Sequence, residues 1–190
     1  MSETIIDLSK YRNHFSAQNK IGRIIWNLIC LILFRPFIPG IFNRWRIFIL
    51  KCFGARVEWS AVVYSSAKIW APWNLEMGVN ACLGPHVDCY NQGRVTVKAN
   101  TTISQKSYLC ASSHDISDPL NTLIVAPIII EDQAWVAADA FVGPGVHIGQ
   151  GAVIGARSAV FSKVEPWTVV GGNPARFIKP RIIKDRTWKA

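Results

Sequence analysis

The chain has 190 residues, room for one domain with an appendage, and 21 Lys and Arg against 12 Asp and Glu give it a formal net charge of +9. Such a balance suits nucleic acid, an anionic membrane or a phosphorylated cofactor, but no nucleic-acid motif is present and the basic residues gather at the two ends, which argues against nucleic acid. Five cysteines, odd in number and without a CxxC pair, exclude a disulfide framework and a zinc ribbon and fit a reducing cytosol.

Residues 1–54 read as an arm followed by helices. The first residues are acidic and polar with no small-residue cleavage site after them, so no signal peptide is expected. Residues 21–34 suit a helix that is apolar on nearly every face. Arg35-Pro36 ends it, Pro39-Gly40 marks a turn, and residues 44–53 suit a second short helix. The charge-free apolar stretch covers only residues 24–34, too short for the roughly 20 residues of a membrane span. Two readings stay open: a helical cap on the body that follows, or a helix lying in the membrane interface. For the second, Lys20, Arg23, Arg35, Arg44, Arg46 and Lys51 flank the apolar patches.

From Val57 a six-residue beat sets in. Val57, Val63, Ile69, Leu75, Ala81 and Val87 form a loose first run. Val97, Ile103 and Leu109 form a second, after four extra residues at 93–96. Ile130, Val136, Val142, Ile148, Ile154 and Val160 then fall six apart without a slip. The residue four after each of these last is small or of modest size. No helix repeats at six, so residues 55–165 predict an all-β coil of short strands, three hexads to a triangular turn and about five turns. The polar residues 115–129 break the beat and predict a loop thrown out from the prism, the kind of place where binding residues sit. Residues 166–190 supply a Pro/Gly-rich cap and a basic tail.

His114 stands where the coil gives way to the loop. An imidazole with a pKa of about 6.5 can take a proton from an attacking hydroxyl. His14, in the polar arm, is incidental. His86 and His147 share the outward hexad position with His114, but no H-x4-H pair completes a zinc site, so no metal is expected. Asp115 and Asp118 are placed either to orient His114 or to bind an acceptor. Asp88, Tyr90, Asn91, Ser104 and Gln105 cluster in the two turns before His114, where they suit the hydroxyls of a sugar or the corners of the coil. Trp135, outward just after the loop, is a channel wall or a packing residue. Lys163, Arg176, Lys179 and Arg181, near the last turn, suit phosphate groups or an ordinary basic surface.

These hexads, the His114 loop and the terminal Gly171-Gly-Asn-Pro-Ala-Arg176 resemble the hexapeptide-repeat acetyltransferases, such as the galactoside and maltose O-acetyltransferases. The resemblance is closer still to the colanic acid biosynthesis acetyltransferases. It is carried by Leu8-Ser-Lys-Tyr-Arg-Asn13, Trp70-Ala-Pro-Trp-Asn-Leu75, Val87-Asp-Cys-Tyr-Asn91, Ser104-Gln, Ser113-His-Asp115 and Ala137-Ala-Asp-Ala-Phe-Val-Gly143, and it covers essentially the whole chain. It implies a left-handed parallel β-helix, a homotrimer, acetyl-CoA in the cleft between neighbouring prisms, and His114 as general base. It also implies that Trp135 lines the site, that backbone at Ala138 and Ala156 meets the cofactor, and that Arg176 and Lys179 lie by its phosphates. Two departures stand out. Gly84 and Gln92 occupy the positions of the galactoside branch's acceptor-binding Asn and Asp, so the acceptor is not expected to be a simple galactoside. The family's lysine after the last coil has no clean match, with Ser162 and Lys163 both near.

The expectation is a cytoplasmic O-acetyltransferase acting on a hydroxyl of a saccharide precursor, free or lipid-linked, in exopolysaccharide biosynthesis, with peripheral contact to the inner face of the membrane. Its rivals are N-acetylation of an amino sugar and a non-catalytic trimeric module.

Overall fold

The computed structural model describes residues 6, 9, 11 and 15–184. Short parallel strands stack on three faces. The first face holds Arg56–Val57, Leu75–Met77, Val95–Val97, Ile128–Ile130 and His147–Ile148. The second holds Val62–Val63, Cys82–Leu83, Thr102–Ile103, Trp135–Val136, Val153–Ile154 and Thr168–Gly171, with Arg176–Pro180 folded back antiparallel on the last. The third holds Lys68–Ile69, Asp88–Tyr90, Tyr108–Cys110, Phe141–Val142 and Ala159–Val160.

In every turn one aliphatic or sulfur-bearing side chain per face points inward, and these inward residues are buried from Val57 to Val160. Each such burial is worth about 1.5–3 kcal/mol, and stacking like on like makes the interior continuous. Val164 bridges to Ile148 and Val170 stacks on Ile154, so the coil makes about six turns, one more than the hexads suggest. The extra turn hides in the Pro/Gly-rich exit, whose hexad pattern is lost.

The phase of the second turn also differs from the sequence expectation. Met77, Leu83 and Cys89, not Leu75, Ala81 and Val87, continue the inward rows of Val57, Val63 and Ile69. A 3-10 turn at Pro72–Asn74 lengthens a corner of the first turn, and the first two turns take 20 residues each where Ile130 to Ile148 takes 18. Leu75, Ala81 and Val87 are buried as well, two residues before the inward position, which is why the slip is silent in hydropathy. At tight corners the backbone turns left-handed. Gly151 shows the demand most clearly, with φ +64° and the Trp167 ring only 2.6 Å from where a Cβ would stand.

The N-terminal segment covers the open end of the coil. Ser16 caps helix α1 (Ala17–Ile29), its hydroxyl accepting from the Asn19 N–H at 3.2 Å, and the helix runs on through a wider turn, Cys30–Phe34. Helix α2 spans Asn43–Cys52. Trp26, Phe34, Ile47 and Leu50 are buried against the first turn, and the Trp26 indole donates to the Ile69 carbonyl at 2.7 Å. The buried Arg46 guanidinium donates to the Val63, Phe37 and Pro39 carbonyls. The inner face is thus a cap. The opposite face of α1 and the wider turn leaves Ile21, Ile24, Ile25, Leu28, Leu31 and Ile32 exposed by 49–69%. No helix among the described residues is long and apolar enough to cross a membrane.

Candidate active site

After Cys110 the chain leaves the third face as a β-hairpin. Ser112–His114 pairs antiparallel with Leu123–Val125, and the Ala126 N–H donates to the Ala111 carbonyl at 3.2 Å, so the hairpin's entry and exit touch. Its tip ties itself together through two carboxylates. Asp115 accepts from the Ser117 hydroxyl and N–H, and Asp118 accepts from the Leu120 N–H and from both the hydroxyl and N–H of Thr122. These hydrogen bonds hold both carboxyls below the usual carboxylate range.

This geometry assigns one ring nitrogen of His114 as a donor. Asn121, at φ +51°, presents its backbone carbonyl to His114 Nδ1 at 2.6 Å. A carbonyl only accepts, so Nδ1 carries a proton, and in the neutral ring Nε2 then keeps its lone pair, the form a general base needs. Asp115 does not orient the ring: its carboxylate is taken by Ser117, and the Asn121 carbonyl does that work.

His114 lines a cavity of about 390 Å³ between the hairpin and the third face, with Tyr11, Arg23, Trp70, Tyr90 and Gln92 around it. No Asp or Glu lines it among the described residues. The Tyr90 hydroxyl accepts from the Gln92 amide at 2.6 Å, and burial pushes its pKa up, so it stays protonated with its own O–H to give. Tyr11 lies 6.0 Å from the His114 ring, centre to centre. Phe15, Trp70, Tyr90, Tyr108, Phe141 and Phe161 form a ladder of rings up the third face, with successive centres 5.1–6.2 Å apart.

Of the residues expected to meet an acceptor, the cavity gathers only His114 and Tyr90. Asp88 lies to one side, 3.6 Å from the Lys68 ammonium. Asn91 is wholly buried: its Oδ1 accepts from the Trp70 and Ala71 N–H groups and its Nδ2 donates to the Ala71 carbonyl. It stitches the corner and cannot reach a ligand. Asp115 sits in the hairpin tip. Ser104 is on the second face, where its hydroxyl accepts from the Trp135 indole at 2.9 Å, and Gln105 is exposed at the next corner.

The residues expected to meet the cofactor also lie away from His114. Trp135 is half exposed on the second face. Ala138 and Ala156 occupy successive turns of the corner beyond it, and the Arg157 N–H donates to the Ala138 carbonyl at 2.9 Å. Lys163 and Arg176 share a separate cavity of about 270 Å³ at the C-terminal end, where Lys163 pairs with Glu165 at 2.9 Å. Lys179 lies further along the same edge strand. Arg181 donates to the Gln133 and Gly151 carbonyls and so belongs to the fold. His147 contacts Glu131 at 2.9 Å, and no three His, Cys, Asp or Glu side chains converge among the described residues. His14 lies outside the described residues.

Sequence reasoning missed Arg23, Trp70 and Asn121 as site residues. Arg23 arrives from a helix far away in sequence, and Asn121 acts through its backbone, which no side-chain motif reveals.

The chain is 41% identical over 168 residues, 88% of its length, to the Escherichia coli (strain K12) protein WcaF, named for acetyl transfer in colanic acid biosynthesis; those residues cover 92% of that protein. It belongs to the hexapeptide-repeat acetyltransferases. No protein-family profile matches the chain. Among solved structures it resembles a hexapeptide-repeat acetyltransferase from Vibrio cholerae complexed with acetyl coenzyme A, with a TM-score of 0.79 at 22% identity, covering 91% of this chain and 94% of that one. A galactoside acetyltransferase in complex with coenzyme A gives a TM-score of 0.75 at 22% identity, covering 88% and 84%. The left-handed parallel β-helix with an N-terminal helical part is the fold of this acetyltransferase.

Proposed function

We propose that this acetyltransferase is a homotrimer that moves acetyl from acetyl-CoA to a hydroxyl of a saccharide precursor in exopolysaccharide biosynthesis. The observation that carries it is the His114 ring, fixed by the Asn121 carbonyl at Nδ1, on the wall of a cavity whose described lining has no carboxylate. Nε2 takes the hydroxyl proton as the oxygen attacks the thioester carbonyl, backbone N–H groups stabilise the oxyanion, and the imidazolium returns the proton to the departing thiolate.

Within one chain His114 stands on the hairpin beside the third face, whereas Trp135, Ala138 and Ala156 belong to the second and its corner. A second copy packed alongside would bring one set to the other, with acetyl-CoA in the cleft and Lys163, Arg176 and Lys179 toward its phosphates. The exopolysaccharide context comes from the name of the Escherichia coli relative, and the donor from the coenzyme A complexes of the structural neighbours. The apolar outer face of α1 fits an anionic membrane. Residues 15–55 hold Lys20, Arg23, Arg35, Arg44, Arg46 and Lys51 and no acidic residue.

The test is to incubate the purified protein with acetyl-CoA and a panel of saccharides, follow thiol release, and locate the new group by NMR. An ester on a sugar oxygen is expected. An amide product, or no release with any hydroxyl acceptor, would overturn the proposal. Flotation with anionic liposomes checks the membrane contact: the intact protein is expected to float at low salt, and Ile24→Glu with Leu28→Glu to stay behind.

A further inference from the structure

A second cavity, of about 250 Å³, adjoins the one at His114, and the two share Arg23, Trp70 and Tyr90 as a common wall. Arg23 reaches over from α1 and lays its guanidinium on Trp70, 3.9 Å from the ring centre. Stacking holds the plane of the group and leaves its edge N–H donors for a partner. The second cavity also takes in Arg35, Lys68 and Asp88. Asp88 is matched to Lys68 at 3.6 Å, and no described carboxylate forms an ion pair with Arg23 or Arg35. Three cations against one carboxylate leave two positive charges unanswered among the described residues. The described lining of the first cavity adds no carboxylate to answer them. The same helix that places Arg23 here turns Ile24, Ile25 and Leu28 outward.

We infer that the two cavities form one acceptor groove, in which the sugar lies by His114 and a diphosphate linked to it lies between Arg23 and Arg35. The inference rests on the transferase reading above and names its substrate class, a saccharide carried on a diphosphate. A diphosphate diester bears two negative charges, matching the two that the groove leaves open, and planar guanidinium groups pair with phosphate oxygens two at a time. A nucleotide sugar and a lipid-linked sugar both present this group.

Binding is read first, by calorimetry with inorganic pyrophosphate on the intact protein saturated with coenzyme A, so that donor-site phosphate contacts are already filled. Pyrophosphate is expected to bind, and both Arg23→Gln and Arg35→Gln to weaken it at least tenfold. Arg35 is exposed and outside the Trp70 stack, so its variant reports on the groove even where Arg23→Gln disturbs packing. Transfer is read second, with one sugar offered free, as a nucleotide diphosphate sugar, and as a polyprenyl diphosphate sugar in vesicles. A preference for either diphosphate form through KM is expected, and the preference should shrink at least tenfold in both variants. The two carriers differ only in which is used better, and that identifies the source. Pyrophosphate affinity unchanged in both variants, or equal kcat/KM for the free and diphosphate-linked sugar, would overturn the groove while leaving the transferase standing. Pyrophosphate binding lost in both variants, with no acetylation of any sugar, would instead uphold the groove and sink the reaction.

Discussion

The two halves of the coil divide the labour. From Ile130 to Val160 the turns are regular and their inward rows unbroken. From Val57 to Leu109 the turns are lengthened, and a hairpin is thrown out directly after them. The His114 cavity draws all its lining residues from this irregular part and from the N-terminal segment. Regular turns repeat the same backbone hydrogen bonds from one turn to the next and present side chains in rows. Where residues are inserted, backbone and side chains are freed to point across the surface, and there a site can be built.

If the regular half is scaffold, a cavity there should cost stability and spare chemistry. Ile154→Ala removes a fully buried side chain and is expected to cost about 2–5 kcal/mol, measured by denaturant unfolding. Turnover per folded molecule should hold. In the irregular half the opposite is expected. His114→Ala should leave unfolding and coenzyme A binding intact and cut kcat by about a hundredfold or more, the scale of a lost general base. Near-normal turnover would take the chemistry away from the hairpin.

The C-terminal end sharpens the comparison. Replacing Arg176 and Lys179 together by Ala should raise KM for acetyl-CoA about tenfold, with the acceptor KM unmoved, as loss of phosphate contacts would. If the acceptor KM moves instead, donor and acceptor have been assigned to the wrong ends. The smallest effect is in acid. Hydrogen bonds from Ser117 and Thr122 hold Asp115 and Asp118 below their ordinary range. A depressed folded pKa stabilises above the unfolded value of about 3.9, and that stabilisation is lost as pH falls through the lower folded value. Hairpin opening, followed by NMR of the Ser117 and Thr122 amides, should therefore quicken only below about pH 4, and Asp118→Asn should blunt that step.

What was legible in the chain follows the same division. Val136, Val142 and Ile154 could be assigned inward from spacing alone, because nothing between them is inserted. Leu75, Ala81 and Val87 could not: residues two apart are both buried there, so hydropathy cannot sense the longer corner at Pro72–Asn74. His114 was legible as a candidate because its imidazole stands at the break in the beat. Asn91 looked like a sugar ligand, yet a buried amide able to satisfy three backbone groups is what a bulging corner requires. Arg23 was visible only as a basic flank of a helix, since its position over Trp70 depends on how that helix docks.

The contact between Ala126 and Ala111 closes the hairpin at its root, and the strands on either side stack as though nothing had been added between them. The coil therefore carries the hairpin as a cassette on a chassis. Exchanging the hairpin at those two alanines for one of another length is expected to leave the inward rows where they are. On the proposed assignment such an exchange would remake the His114 wall of the groove and leave the Arg23 and Arg35 wall, which the N-terminal segment supplies, as it is.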